Sequence, residues 1–176
     1  VGEYAFRSAT KADITALHAL VEGAYRGTSA KGGWTHEADL LEGQRTDVEE
    51  LEQIIQDPTQ QIILAMDRDA IAGCVCIANK GGGLSYLGML TVDPQRQSGG
   101  LGRQLIAAGE QAAVRDFQAD RMEMTVIAQR PELIAYYERR GYGLTGQSRP
   151  FPMDDPRFGV PLRNDLRFVV MEKALA

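Results

Sequence analysis

Leu84-Ser85-Tyr86-Leu87-Gly88-Met89-Leu90-Thr91-Val92 runs into Asp93-Pro94-Gln95-Arg96-Gln97-Ser98-Gly99-Gly100-Leu101-Gly102. The first nine residues read as a strand, which Asp93-Pro94 closes. Beyond the glycines, Leu101, Leu105, Ala108 and Ala112 recur on one stripe, with Ile106, Ala113 and Phe117 beside it. That spacing predicts a helix running to about residue 118. A strand, a glycine turn and a helix in this order suit phosphate. The helix start carries unpaired amides and partial positive charge, and glycines let those amides approach an anion closely. Arg96 and Arg103 flank the turn and add charge.

Other readings of the same glycines compete. A dinucleotide fingerprint needs a glycine three places after Gly102, where Leu105 stands. A Walker loop ends in Gly-Lys-Ser/Thr, and Gly102-Arg103-Gln104 does not. A turn shaped only by packing remains open, and so does a flavin or nucleotide protein using these glycines.

Upstream, Tyr4 and Phe6 mark a short first strand, and Thr10-Lys11-Ala12-Asp13 resembles a capping box. Ile14, Leu17, Val21 and Ala24 predict a helix over about 11–25. Thr46 with Glu49 predicts the cap of a second helix, which Asp57-Pro58 ends. Gln61 to Met66, Ile71 to Ala78 and Leu84 to Val92 then read as an antiparallel meander, with turns at Asp67-Arg68-Asp69 and Lys80 to Gly83. Downstream, Arg121 to Ile127 alternates as a strand, and Pro131 opens a helix that Arg139-Arg140-Gly141 closes. Tyr142 to Gly146 and Arg167 to Lys173 are the last strands, separated by a proline-rich extended loop. The order predicts a mixed α/β, three-layer domain around one sheet, a single domain spanning 3–176.

The bulk numbers agree. The chain has 176 residues, 44% of them hydrophobic and 24% charged, which is ordinary globular usage. Its net charge of −5 disfavours nucleic-acid backbone as a partner. Apolar runs fall short of the ~18 residues of a membrane span, and the first residues do not read as a signal peptide. Cys74 and Cys76 are two apart, so on a strand both thiols face one side; core packing is expected rather than metal or disulfide chemistry. His18 and His36 are too few to complete a zinc site, so no metal is expected, and a reducing cytoplasm is.

The motifs also carry a resemblance. Gln97-Ser98-Gly99-Gly100-Leu101-Gly102 is similar to the Q/R-x-x-G-x-G/A motif of the GCN5-related N-acetyltransferases (GNAT). Leu90-Thr91-Val92-Asp93-Pro94 resembles that family's preceding strand, and Tyr136-Tyr137-Glu138-Arg139-Arg140-Gly141-Tyr142 its L-Y-x-K-x-G-F segment. The resemblance implies the acyl-CoA N-acyltransferase fold, with a mostly antiparallel sheet of about seven strands and helices on both faces. It implies acetyl transfer from acetyl-CoA to an amine without an acyl-enzyme, and often a homodimer.

By this resemblance, the amides of Gln97, Ser98, Gly99, Gly100, Leu101, Gly102 and Arg103 hold the cofactor's pyrophosphate. Leu90, Thr91 and Val92 line its pantetheine arm, and a bulge splays this strand from the next. Tyr137 is the acid that protonates the leaving thiolate; Tyr136 takes the core position. Arg130 stands where the family usually has Asn, either at a cofactor phosphate or exposed. The base is open between Glu37, Glu132, His36 and a water chain, with Glu37 on the loop expected at the acceptor. Tyr25, Trp34, Leu40 and Arg45, with Arg149, Phe151 and Pro152 opposite, would shape the pocket of a small-molecule amine. Arg45 and Arg149 suit a carboxylate on that acceptor. A non-catalytic module that binds acyl-CoA is the other reading of the same fold.

Overall fold

The computed structural model describes residues 4–25, 41–42, 47–150, 160–161 and 166–175. Strand β1 (Ala5–Ser8) leads into a short 3-10 turn and helix α1 (Ile14–Tyr25). The proposed box at its start forms on the acidic side: Asp13 Oδ2 accepts from the Thr10 backbone N–H at 2.8 Å. A two-residue strand β2 (Leu41–Glu42) precedes α2 (Val48–Gln56). The cap of α2 is Asp47, whose carboxylate accepts from Glu50 N–H at 2.7 Å. Asp47 thus supplies the cap expected one residue earlier, at Thr46, which lies outside the described residues.

The meander follows as β3 (Gln60–Asp67), β4 (Ala70–Gly81) and β5 (Leu84–Val92). A 3-10 turn (Pro94–Gly99) leads to α3 (Leu101–Phe117), then β6 (Arg121–Ile127) and α4 (Pro131–Arg139). Strand β7 (Gly143–Pro150) is longer than its apolar residues indicate, because its pairing to the chain's last strand supplies order that its polar side chains do not. A two-residue β8 (Val160–Pro161) pairs with β2, a ribbon that the sequence does not announce. Strand β9 (Arg167–Ala174) ends the fold.

Seven strands form one sheet in the order β1-β3-β4-β5-β6-β9-β7, antiparallel except where β5 meets β6. Alternation divides its faces. Ile62, Leu64, Met66 and Cys74 pack with Ile14, Leu17, Val21 and Leu51 of α1 and α2. Ile63, Ala65, Val75, Ile77 and Leu87 pack with Leu101, Leu105 and Ile106 of α3 on the other side. Cys76 packs against the same core as Cys74, so the two thiols share a face as their spacing requires.

Candidate active site

The centre of the sheet is interrupted in two ways. First, β5 carries one residue too many. Thr91 pairs with Cys74 and Gly88 with Cys76, so two residues of β5 lie opposite the single Val75. This is a β-bulge. Met89 absorbs it at φ 52°, a left-handed conformation uncommon outside glycine. The turned Met89 carbonyl is satisfied inside the core, accepting from Thr91 Oγ1 at 3.0 Å and Cys74 Sγ at 3.6 Å.

Second, β5 and β6 part. Their parallel register covers Leu84, Ser85 and Tyr86 against Arg121, Met122 and Glu123, and it ends there. Beyond that point β5 continues against β4, and β6 against β9 as far as Ile127 and Phe168. The strands thus make a fork whose apex is the Tyr86–Glu123 pair. On the α1/α2 side one hydrogen bond spans it, 2.6 Å between the Tyr86 hydroxyl and Thr125 Oγ1.

The glycine turn lies at the far end of β5. Gly100 sits at φ 75°, where any other residue would be strained. A Cβ at Gly99 would meet no described atom within 4 Å, and one at Gly100 only the Arg103 guanidinium, at 3.3 Å. Gly73 is a useful contrast: a Cβ there would lie 2.6 Å from the Thr91 carbonyl oxygen. Gly73 is glycine because protein fills the space; Gly99 is not. Helix α3 makes its first internal bond from Gln104 N–H to the Gly100 carbonyl, 3.2 Å, so the amides of 101 to 103 have no acceptor within α3. An open, amide-rich cradle of this kind fits a diphosphate.

The other anticipated residues divide. Leu90, Thr91 and Val92 are buried along β5 beside the fork. Gln97 lies in the 3-10 turn with Ser98. Arg103 folds back over the turn, whereas Arg96 ion-pairs with Asp67 and Asp93. Tyr137 is the buried member of the tyrosine pair, 7% exposed. It packs edge-on to Tyr142, with ring centroids 6.4 Å apart, and to Tyr136 at 5.4 Å. The expectation that Tyr136 owns the core position is therefore corrected. Tyr136 is half-buried, with the Arg139 and Arg140 guanidinium groups 5.9 and 5.4 Å from its ring centre. Burial pushes its phenol above the ordinary value, against the pull of those arginines.

Arg130 is buried rather than exposed. As the N-cap of α4, its carbonyl accepts from Leu133 and Ile134 N–H, and its Nε donates to Glu132 at 2.5 Å. Glu132 is thus a partner of Arg130, as well as a favourable charge in the first turn of α4. Arg149 donates from Nη2 to both oxygens of Glu123, at 3.1 and 3.3 Å. Tyr25 ends α1; Trp34, His36, Glu37, Leu40, Arg45, Phe151 and Pro152 lie outside the described residues. Sequence reasoning missed Glu123, which carries no motif and is marked only by its place at the fork.

Comparison with known proteins gives the arrangement a family. The model of the acetyltransferase (GNAT) domain matches residues 35–152. Among solved structures, a GNAT-family acetyltransferase from Streptococcus pneumoniae is 18% identical with a TM-score of 0.69, covering 99% of this chain and 100% of that one. The yncA protein of Salmonella typhimurium, solved with its cofactor acetyl-CoA, is 18% identical with a TM-score of 0.70 over 99% and 95%. A chimera of the Vibrio cholerae spermidine N-acetyltransferase SpeG with hSSAT is 15% identical with a TM-score of 0.69 over 99% and 96%. A search of curated proteins gives no match. The forked sheet, the open glycine turn and the matching family model agree: the chain belongs to the GNAT family of acetyltransferases.

Proposed function

We propose that this chain, acting as one domain over 3–176, moves the acetyl group of acetyl-CoA to the primary amine of a small molecule by direct attack. Membership of the family supports acetyl transfer from acetyl-CoA; the amine, the small acceptor and the residue roles are our reading. The observation that carries it is the fork between β5 and β6 with an open glycine turn at its end. The turn amides from Gln97 to Arg103 hold the diphosphate, and Leu90 to Val92 line the pantetheine arm. Arg130 supports this end through α4. Bound acetyl-CoA supplies an activated thioester.

Tyr137 Oη gives its proton to the departing sulfur. A phenol of pKa ~10 can serve a thiolate whose conjugate acid lies near ~8.5. Its burial excludes water from that transfer. The acceptor arrives as an alkylammonium of pKa ~10.4 and must lose a proton before it attacks. Glu37 receives that proton, and the second, shed from nitrogen as the N–C bond forms and the C–S bond breaks, restores the Tyr137 phenol; Tyr25, Trp34, Arg45 and Arg149 stand around the acceptor. A homodimer in the cytoplasm is the setting we propose.

The test is free-thiol release with acetyl-CoA and a panel of small amines, in wild type and Tyr137→Phe. Loss of the hydroxyl lowers kcat by about 10²–10⁴ while the CoA dissociation constant holds. An unchanged kcat removes Tyr137 from the mechanism. Tight CoA binding without turnover on any amine, peptide amines included, favours the non-catalytic module.

A further inference from the structure

The face of the sheet turned toward α1 and α2 carries two carboxylates that the mechanism above leaves unused. Glu123 stands at the apex of the fork. Its neighbours Met122 and Met124 belong to the core on the α3 side, so Glu123 points to the other face. Directly opposite on β9, in antiparallel register, is Glu172. Opposed residues of such a pair share a face and stand about 5 Å apart, so two like charges repel there. Arg149 of β7 reaches across β9 to bind Glu123. Among the described residues Glu172 makes no ion pair. Lys80 lies over the Tyr86 ring, 5.5 Å from its centre, and Arg121 is held by Asp120 and the Gly82 carbonyl. Of the two opposed carboxylates Glu123 therefore holds the guanidinium, and Glu172 adds negative charge beside it.

The two halves of the ion pair are unequal. The Glu123 side chain is 9% exposed and that of Arg149 44%. A carboxylate withdrawn from water needs a cation beside it at all times. A guanidinium at the surface loses little on release into solvent. Exchange is therefore one-directional. An incoming cation can replace Arg149 on Glu123, whereas an incoming anion that captures Arg149 strands Glu123.

We infer that Glu123 is the subsite for the acceptor's ammonium group, with Arg149 as its exchangeable counterion. The site selects a cationic primary amine; a carboxylate on the same molecule adds affinity by meeting the released guanidinium. This rests on the amine-acetylating reading above and names its acceptor as amino-acid-like.

The experiment uses the full chain, labelled with ¹⁵N and saturated with CoA, and reads the Arg149 Nε–H resonance, assigned through Arg149→Lys. Probes are butylamine, 4-aminobutyrate and butyrate at constant ionic strength. Butylamine moves the resonance, 4-aminobutyrate does so at several-fold lower concentration, and butyrate leaves it in place. In Glu123→Gln butylamine no longer moves it. In Arg149→Ala, read at the Glu123 amide, the dissociation constant of butylamine falls several-fold because its competitor is gone. A resonance indifferent to both amines, or one that butyrate moves equally, overturns the assignment, as does looser butylamine binding in Arg149→Ala. Thiol release with acetyl-CoA on the same probes is read separately. A moving resonance without release refutes acetyl transfer to these amines and leaves the ammonium subsite standing.

Discussion

Alanine at position 99 distinguishes a turn built for a ligand from a turn built for packing. No described atom lies within 4 Å of the added methyl, and φ at Gly99 is not positive. The folded state therefore accepts alanine without strain, while the unfolded chain loses freedom. That stabilises by ~0.4–1 kcal/mol. For a chain of this size the melting temperature rises by roughly 1–4 °C. Ligand binding moves the other way. A methyl between the turn amides and a diphosphate oxygen breaks one or two charge-assisted hydrogen bonds, each worth ~1.5–3 kcal/mol. A net loss of about 2–4 kcal/mol weakens CoA binding by roughly 30- to 1000-fold. Scanning fluorimetry of the ligand-free protein gives the first quantity. Calorimetric titration with CoA gives the second, and pantetheine, which lacks the diphosphate, is the control that stays unchanged. A Gly99→Ala protein that binds CoA as wild type does, or that melts earlier, refutes the assignment of the turn.

Further outcomes follow from contacts already described. Gly73→Ala forces a Cβ to 2.6 Å from the Thr91 carbonyl and 2.8 Å from Leu105 Cδ1, and the backbone half of that clash cannot swing away. Urea denaturation should show a loss of about 2 kcal/mol. Tyr142→Phe removes the 2.7 Å bond from the buried Tyr142 hydroxyl to Glu110; burial first, and then that carboxylate, pushes the phenol far above its ordinary range. Glu110 keeps Lys173 at 3.0 Å, which limits the loss to about 1.5 kcal/mol and lowers the melting temperature by roughly 3–6 °C.

Hydrogen bonds from Arg7 hold the Asp13 carboxyl down at about 2. The native pKa lies below the unfolded one, so the stabilisation is whole above about pH 4 and disappears as pH falls toward about 2. Because Arg7 is half in solvent, it amounts to less than about 1 kcal/mol. The stability gap between wild type and Asp13→Asn, measured by denaturant titration, narrows over that window; a gap independent of pH contradicts the pairing.

The meander was legible because its turns are written in local chemistry. Asp67-Arg68-Asp69 and the glycines near 82 end each strand, and Arg68 and Gly82 do adopt positive φ. Helix α4 was equally plain, with Pro131 at its start and Gly141 at φ 99° just after its end. Long-range pairing was not legible. The bond from Arg149 to Glu123 spans 26 positions in sequence, and the bonds from Tyr142 and Lys173 to Glu110 span 32 and 63. Nothing local to any of these residues encodes its partner. The cap of α2 went to Asp47 rather than Thr46 because neighbouring oxygen-bearing residues compete for one role. Which of Tyr136 and Tyr137 is buried depends on how α4 is rotated against the sheet. Adjacent positions on a helix lie about 100° apart, and the sequence contains both rings.

The extra residue in β5 has a consequence for the fold as a whole. Between its pairs with Cys76 and Cys74 this strand spends two positions where its neighbour spends one. The phase of its side chains is reset midway, so one continuous segment obeys two registers. A chain shortened by one there, at Met89, would regain unbroken pleating. It would be a more regular sheet, and the carbonyl at that position, now turned inward and satisfied by Thr91 and Cys74, would rejoin the ladder.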